Sequence, residues 1–172
     1  MHELREVAMD LFVTTRPVRP DDGPLFRRLW DRLSPETVYR RFHAPLRSPP
    51  AEAHRLVDVD HVLREALVVV VGGEVVGVAR YDRSPADPAT ADVAVVVEDG
   101  WQGVGVGRQL LIELIELAGR RGVRTLHADV QADNNRMVGL IRRLLPGAVL
   151  TPEHGVYAVR SPVPSAATPV AA

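Results

Sequence analysis

Seven short stretches of the chain are apolar runs or alternate between apolar and polar residues, which predicts seven strands. Two valine-rich stretches, residues 65–71 and 74–81, are separated by Gly72 and Gly73, and a Gly-Gly pair between such runs is typical of a β-hairpin. We expect the last two stretches to close the chain as a second strand pair. The stretches outside the first hairpin are residues 11–19, 90–97, 125–130, 148–151 and 156–160.

Sequence patterns typical of helix starts occur between these strands. Serine or aspartate near a proline at residues 20–24, 34–36 and 48–52 fits a capping residue followed by proline in the first helical turn. The second signal predicts a helix over residues 37–46, and the third predicts one over residues 51–59. A β-strand, helices, three antiparallel strands, a helix, a strand, a helix and two strands therefore follow one another.

The junction between the strand at residues 90–97 and the next helix is rich in glycine. Gly103, Gly105 and Gly107 let the backbone adopt positive φ and approach a ligand closely, and the following helix presents unpaired N–H groups. This pattern indicates a diphosphate cradle, and the equal alternative for the glycines alone is a strand-to-helix turn in which they serve packing only. It is not the dinucleotide fingerprint, because Arg108 stands where the third glycine belongs, and a chain without lysine has no P-loop.

Composition limits the class of protein. The chain has 172 residues, a net charge of −1 and 5% aromatic residues, which predicts one domain with no nucleic-acid surface. It has no cysteine, so disulfides and thiol catalysis are excluded. No signal peptide or membrane-length apolar run is present, and we expect a cytoplasmic protein without a membrane partner. The predicted division is an extension at residues 1–10, a domain at 11–161 and a disordered tail at 162–172.

The letters from Gln102 to Gly107 resemble the Q/R-x-x-G-x-G/A acyl-CoA loop of the GNAT superfamily of N-acetyltransferases. A second segment, Asn134 to Leu140, is similar to that family's N-x-x-M/A-x-x-L motif. The resemblance implies an α/β (α+β) GNAT fold: a mixed, mostly antiparallel sheet of six to seven strands, splayed between the fourth and fifth, with about four helices. It implies acetyl-CoA as cosubstrate, bound by Val95, Val97, Gln102, Gly103, Val104, Gly105, Val106, Gly107, Arg108, Asn134 and Met137.

A narrower resemblance covers roughly residues 12–147. The segments LSPETVYRRFHAPL, VDVDHVLREALVVV and ADVAVVVEDGWQGVGVG are similar to the catalytic domains of bacterial protein lysine acetyltransferases that modify acyl-CoA synthetases. This implies a protein substrate with an acceptor lysine, with an acyl-CoA synthetase as one candidate, and a monomer or dimer. Two alternatives stay open: a small-molecule amine as acceptor, and a non-catalytic acyl-CoA-binding regulatory protein.

Asp92 is the candidate general base. In A-D-V-A-V it stands where the narrower family has a glutamate, so its side chain is one methylene shorter. The alternative is an edge aspartate that is solvated or paired with an arginine such as Arg80.

The tyrosine that often protonates the leaving thiolate in this superfamily is replaced by Ile141. Tyr81 and Tyr157 could substitute only if the fold brings them to the site; otherwise the thiolate leaves without a dedicated acid and is protonated from solvent. The histidines show no metal-ligand spacing, which predicts no metal site. His61 is either an exposed polar residue, which we favour, or part of the acceptor cleft. Arg108 and Arg136 are candidates for the phosphates of the cosubstrate. Arg142 and Arg143 are further candidates, but a solvated helix face is the favoured interpretation of that pair.

Overall fold

One seven-stranded mixed sheet runs through the computed structural model, which describes residues 13–49 and 56–164. Its spatial order is β1-β2-β3-β4-β5-β7-β6, and every neighbouring pair is antiparallel except β4 and β5. The predicted mixed, mostly antiparallel sheet is therefore confirmed. The strands are β1 (Thr14–Pro17), β2 (Arg64–Val71), β3 (Glu74–Arg83), β4 (Thr90–Val97), β5 (Thr125–Gln131), β6 (Val149–Glu153) and β7 (Val156–Pro162).

Helices cover both faces of the sheet, but unequally. Neighbouring residues of β2 belong to different cores. Leu67 shares one core with α3 (Val106–Arg120) and α4 (Asn135–Leu144), whereas Ala66 shares the other with Leu29 of α1 (Gly23–Arg32). Because side chains of a strand alternate between faces, α3 and α4 lie on one face and α1 on the other. The helices are α1 (Gly23–Arg32), α2 (Pro35–Phe42), α3 (Val106–Arg120) and α4 (Asn135–Leu144), with short 3-10 segments at Pro20–Asp22 and Asp99–Trp101.

The β4–β5 pair is joined over only three positions. Thr90, Ala91 and Asp92 pair in parallel with residues 125–127, and the pairing ends there, although both strands continue. The two strands therefore diverge beyond Asp92, which is the predicted splay.

Local signals in the sequence explain several boundaries. Ser34 caps α2, where its Oγ accepts a hydrogen bond from the Thr37 N–H. This helix ends at Phe42 and not at residue 46 as predicted, because His43 adopts the left-handed conformation (φ 55°) and Pro45 disfavours helix at residue 44.

Some predictions fall on residues outside the described ranges. The extension at residues 1–10 lies there, as do residues 165–172 of the tail predicted over 162–172 and residues 51–55 of the helix predicted over 51–59. Within the described ranges, Pro162 belongs to β7 and residues 57–59 are not helical. Within the described ranges, no helix combines the length and the apolar character needed to cross a membrane.

Candidate functional site

A cleft of about 900 Å³ opens where β4 and β5 diverge. Its walls come from residues 92–97 of β4, residues 126–130 of β5, the glycine loop before α3, and α4. Most residues that the sequence analysis assigned to a cosubstrate thus line one cavity, although they are spread over more than 40 positions of the chain. Val104 and Val106 are exceptions, because their side chains pack in the core beside the cleft.

The backbone of β4 faces the cleft at alternate positions. The Glu98 N–H donates to the Val76 carbonyl of β3, so the odd-numbered peptide groups before it point towards the splay. These include the groups of Val95 and Val97. The Val97 carbonyl already accepts a hydrogen bond from the Gln102 side chain at 3.0 Å, which leaves the Val95 groups and the Val97 N–H as the ones directed at a ligand.

Gln102 anchors the glycine loop. Its Nε2 donates both to the Val97 carbonyl and to the Thr37 hydroxyl of α2. The Thr37 hydroxyl in turn donates to Asp99, which also accepts from the Ser34 hydroxyl at 2.6 Å. Burial raises the pKa of the Asp99 carboxyl, but these hydrogen bonds outweigh it and hold the pKa below its ordinary value. The loop is thereby fixed to the start of α2.

The loop itself has the conformation that its glycines permit. Gly103 and Gly105 have φ values of 76° and 96°, and Gly105 is the N-cap of α3. A Cβ on Gly107 would contact the Val97 side chain at 3.4 Å, so the helix start lies close against β4. The N–H groups of the first helical turn have no acceptor within the helix and favour an anion at this position.

The start of α4 completes this end of the cleft. Asn134 caps the helix by accepting a hydrogen bond from the Met137 N–H, and both residues line the cleft. The Arg136 guanidinium lies over Gly103, 3.7 Å from where a Cβ would be. Arg142, one of the further candidates for the phosphates, is exposed and not among the lining residues. Among the described residues, six arginines and two carboxylates line the cleft: Arg40, Arg41, Arg108, Arg136, Arg143, Arg160, Asp92 and Asp129.

Asp92 lies at the point where the strands diverge. Its side chain is 77% exposed, and its Oδ1 is 4.0 Å from the Nδ1 of His127, its partner on β5. Arg80 instead forms a two-pronged ion pair with Asp82, so the interpretation of Asp92 as an Arg80 partner is wrong. His127 belongs to none of the sequence motifs. The residues next to it in the sequence do not indicate that it pairs with Asp92, 35 positions earlier.

Arg41 is the most strongly perturbed titratable group that lines the cleft. Burial and, to a smaller extent, the nearby charge of Arg80 lower the pKa of its guanidinium to about 10, against the opposing effect of Asp82. The guanidinium also lies 4.7 Å from the centre of the Phe42 ring. This side of the cleft is therefore positively charged and partly desolvated.

Tyr81, Tyr157 and His61 lie outside the cleft, whereas Ile141, at the position of the family's tyrosine, lines it. Ile141 is buried, as its apolar character requires, and neither Tyr81 nor Tyr157 lines the cleft. Tyr81 is fully buried beneath α3, with its hydroxyl 3.5 Å from Arg121. His61 does not line the cleft; its side chain is 44% exposed and paired with Glu65, which agrees with the interpretation as an exposed polar residue. Within the described residues, no cluster of three His, Asp or Glu side chains is arranged to hold a metal ion.

Comparison with known families decides what kind of protein carries this cleft. The model of the acetyltransferase (GNAT) family matches residues 26–145, which include the glycine loop, the splay and α4. The chain belongs to the GNAT acetyltransferase family.

Among characterised relatives, this acetyltransferase is 33% identical to Acetyltransferase PA5475 of Pseudomonas aeruginosa over 73% of its own length and 69% of the relative's. It is 35% identical to Acetyltransferase Pat of Mycolicibacterium smegmatis over 87% of its length, and spans 45% of Pat. The GNAT domain of S. lividans PAT superposes with a TM-score of 0.78 at 31% identity, covering 87% of this chain and 90% of that one. These findings confirm the predicted GNAT fold.

Acetyl-CoA is the cosubstrate of this enzyme, as it is for its family. A protein of the same fold from Salmonella typhimurium, yncA, was solved with acetyl-CoA; it is 21% identical, with a TM-score of 0.71 over 93% of this chain and 99% of its own. The cleft fits such a ligand, because arginines outnumber carboxylates in its lining and the glycine loop leads into the first turn of α3, whose N–H groups favour an anion.

Proposed function

We propose that the acetyltransferase moves the acetyl group to a primary amine, that this amine is a lysine side chain on a protein surface, and that transfer is direct within a ternary complex. An acyl-CoA synthetase is the first candidate partner, by similarity to the family of Pat. Direct transfer follows from the absence of cysteine, since no thiol is available to carry the acetyl group.

The observation that carries the lysine assignment is the openness of the acceptor side. Asp92 is 77% exposed, and Asp129, Thr151 and Arg160 beside it in the cleft are also exposed. A shallow, open face suits a side chain presented by a folded protein, whereas a small amine is more often held in an enclosed pocket.

In this proposal each predicted residue has a defined role. The backbone N–H groups of the loop from Gly103 to Arg108 bind the diphosphate, with Arg136 above them. The Val95 groups and the Val97 N–H bind the pantetheine arm. Asn134 orders the start of α4, and Met137 lines the wall. Bound acetyl-CoA supplies an activated thioester. The Asp92 carboxylate accepts a proton from the incoming ammonium. An exposed carboxylate can do this without a buried partner.

The experiment measures thiol release from acetyl-CoA with three acceptors: a purified acyl-CoA synthetase, a lysine-containing peptide and spermidine. Because the chain has neither cysteine nor lysine, released thiol comes only from CoA, and any acetyl-lysine found by mass spectrometry comes from the acceptor. We expect acetyl-lysine on the synthetase or the peptide.

Two other results would replace the proposal. Transfer to spermidine alone would identify a small-molecule acetyltransferase. Thermal stabilisation by CoA without thiol release from any of the three would favour a binding protein.

A further inference from the structure

We infer that His127 is a catalytic residue of this site: its imidazole takes a proton from the attacking amine and delivers it to the departing sulfur, with Asp92 beside it as its anionic partner. This inference rests on the proposed function, and it assigns a role to a residue outside the motifs of the sequence analysis.

The geometry brings these two side chains together at one point. Asp92 and His127 are the last paired residues of β4 and β5, and both line the cleft. The His127 Nδ1 faces the Asp92 Oδ1 at 4.0 Å, and the histidine side chain is 43% exposed. That separation is too long for a direct hydrogen bond but suits a bridging water or closure around a ligand. In the inferred mechanism, Nε2 is the atom that exchanges protons with the substrates.

Two departures from the family pattern leave the site with a shorter base and without the usual proton donor. His127 can supply both functions. The carboxylate at position 92 is shorter than the expected glutamate, and Ile141 cannot donate a proton. Neither Tyr81 nor Tyr157 lines the cleft. Of the two histidines that do, His43 is hydrogen-bonded to Gln131 at 2.8 Å, whereas His127 stands at the point of divergence. An imidazole can both accept and donate a proton near neutral pH, which a carboxylate does poorly.

The protons balance. Asp92 accepts the first proton from the bound ammonium and releases it to solvent, to which it is widely exposed. His127 then takes the second proton at Nε2 as the nitrogen–carbon bond forms, and gives it to sulfur as the carbon–sulfur bond breaks. The imidazole ends neutral, as it began, and no other reactant is needed.

Charges of both signs surround His127. Asp92 lies beside it on β4, and Arg160 is its register partner on β7. Asp129 of β5, Arg40 and Arg41 of α2 and the C-cap residue His43 line the same cleft. Asp82, which is paired with Arg80, is the register partner of Asp92 on β3.

The kinetic test compares His127→Asn with His154→Asn, using acetyl-CoA and the best acceptor of the thiol-release assay. His154 is an exposed histidine in the β6–β7 turn, and its φ of 48° is one that asparagine tolerates. We expect about a 100-fold loss of kcat for His127→Asn and none for His154→Asn. The fall of kcat on acidification through the neutral range, expected for the unaltered enzyme, should disappear in His127→Asn.

Chemical rescue separates catalysis from structure. Added imidazole should restore at least a tenth of the lost rate to His127→Ala, since the site is open, and should not change the rate of the unaltered enzyme. A loss of rate below threefold in His127→Asn, or an unchanged pH profile, would overturn the inference while leaving acetyl transfer itself established.

Discussion

Glycine residues flank both ends of α3, but the surroundings of the two ends differ. At its C-terminal end, the fully buried Glu65 carboxylate binds Arg121 at 2.5 Å and His61 at 2.8 Å, and Gly122 has a φ of 88°. At its N-terminal end, Gly103 and Gly105 expose backbone to the cleft. One end is closed by side chains of this chain, and the other is open to a ligand.

The same contrast separates the two histidine–carboxylate pairs. In the His61–Glu65 pair the carboxylate is fully buried, whereas in the His127–Asp92 pair it is 77% exposed and the atoms are 4.0 Å apart. A buried, fully bonded carboxylate stabilises the fold and has no access to a substrate. An exposed and loosely paired one contributes little stability and is available for chemistry.

The largest expected effect is at the closed end. Glu65→Gln removes the charge that Arg121 and His61 share, and breaking a buried ion pair should lower the free energy of unfolding by about 3 kcal/mol. For a chain of this size the melting temperature should fall by about 6–12 °C. Asp92→Asn is the matched control and should change stability by less than about 0.5 kcal/mol. Equal losses in thermal melts of the two variants would refute the contrast.

At the open end, the expected effect is on ligand binding. Gly105→Glu puts a carboxylate and a strained backbone where the diphosphate should bind. CoA at 100 times its Kd should stabilise the unaltered protein by about 2.7 kcal/mol, and this shift should vanish in the variant. Gly155→Glu is the control, because Gly155 also has a positive φ, 87°, but lies in the β6–β7 turn with open space around it. A full CoA shift in Gly105→Glu would mean that the loop does not hold the diphosphate.

The start of α1 extends the comparison to a third helix end. Asp22 is buried, binds Arg16 through both oxygens at 2.7 Å, and accepts the Arg19 N–H. The hydrogen bond from Arg16 is the largest cause that holds the pKa of Asp22 below its ordinary value, and burial opposes it. Because the folded state favours the ionised form, the stabilisation is complete above the unfolded pKa and fades as pH falls through the folded one.

Asp22→Asn should therefore cost about 1–2 kcal/mol at pH 7 and progressively less below about pH 4. Urea unfolding at several pH values measures this difference. If the cost is the same at pH 3 as at pH 7, the ionised carboxylate is not what stabilises this helix start.

Structural features that depend only on neighbouring residues could be predicted from the sequence. The Gly72-Gly73 hairpin, the Ser34 and Asn134 caps and the glycine loop each depend on a few adjacent positions, and all were found where the pattern indicated. The end of α2 was predicted four residues late, because an apolar helical pattern continued past His43, whose left-handed backbone ends the helix.

Features that depend on strand register could not be predicted. His127 meets Asp92, and Glu65 meets Arg121, only because α3 connects β4 to β5 and packs its last turn against the start of β2. The use of the Val97 carbonyl by Gln102 is likewise a tertiary contact. Periodicity records which face a residue occupies but not which residue of another strand lies beside it, so the partner of each carboxylate appears only in the structure.

The smallest expected effect tests the histidines themselves. His61→Asn removes one of two side-chain partners of a buried carboxylate, but His61 is 44% exposed and Arg121 remains, so the loss should stay below about 1 kcal/mol. His127→Asn should cost less still, because its contact with Asp92 is long and open to solvent. Urea unfolding of both variants measures the difference. If His127→Asn proved the more destabilising of the two, the open pair would be a structural contact and its assignment to catalysis would lose its physical basis.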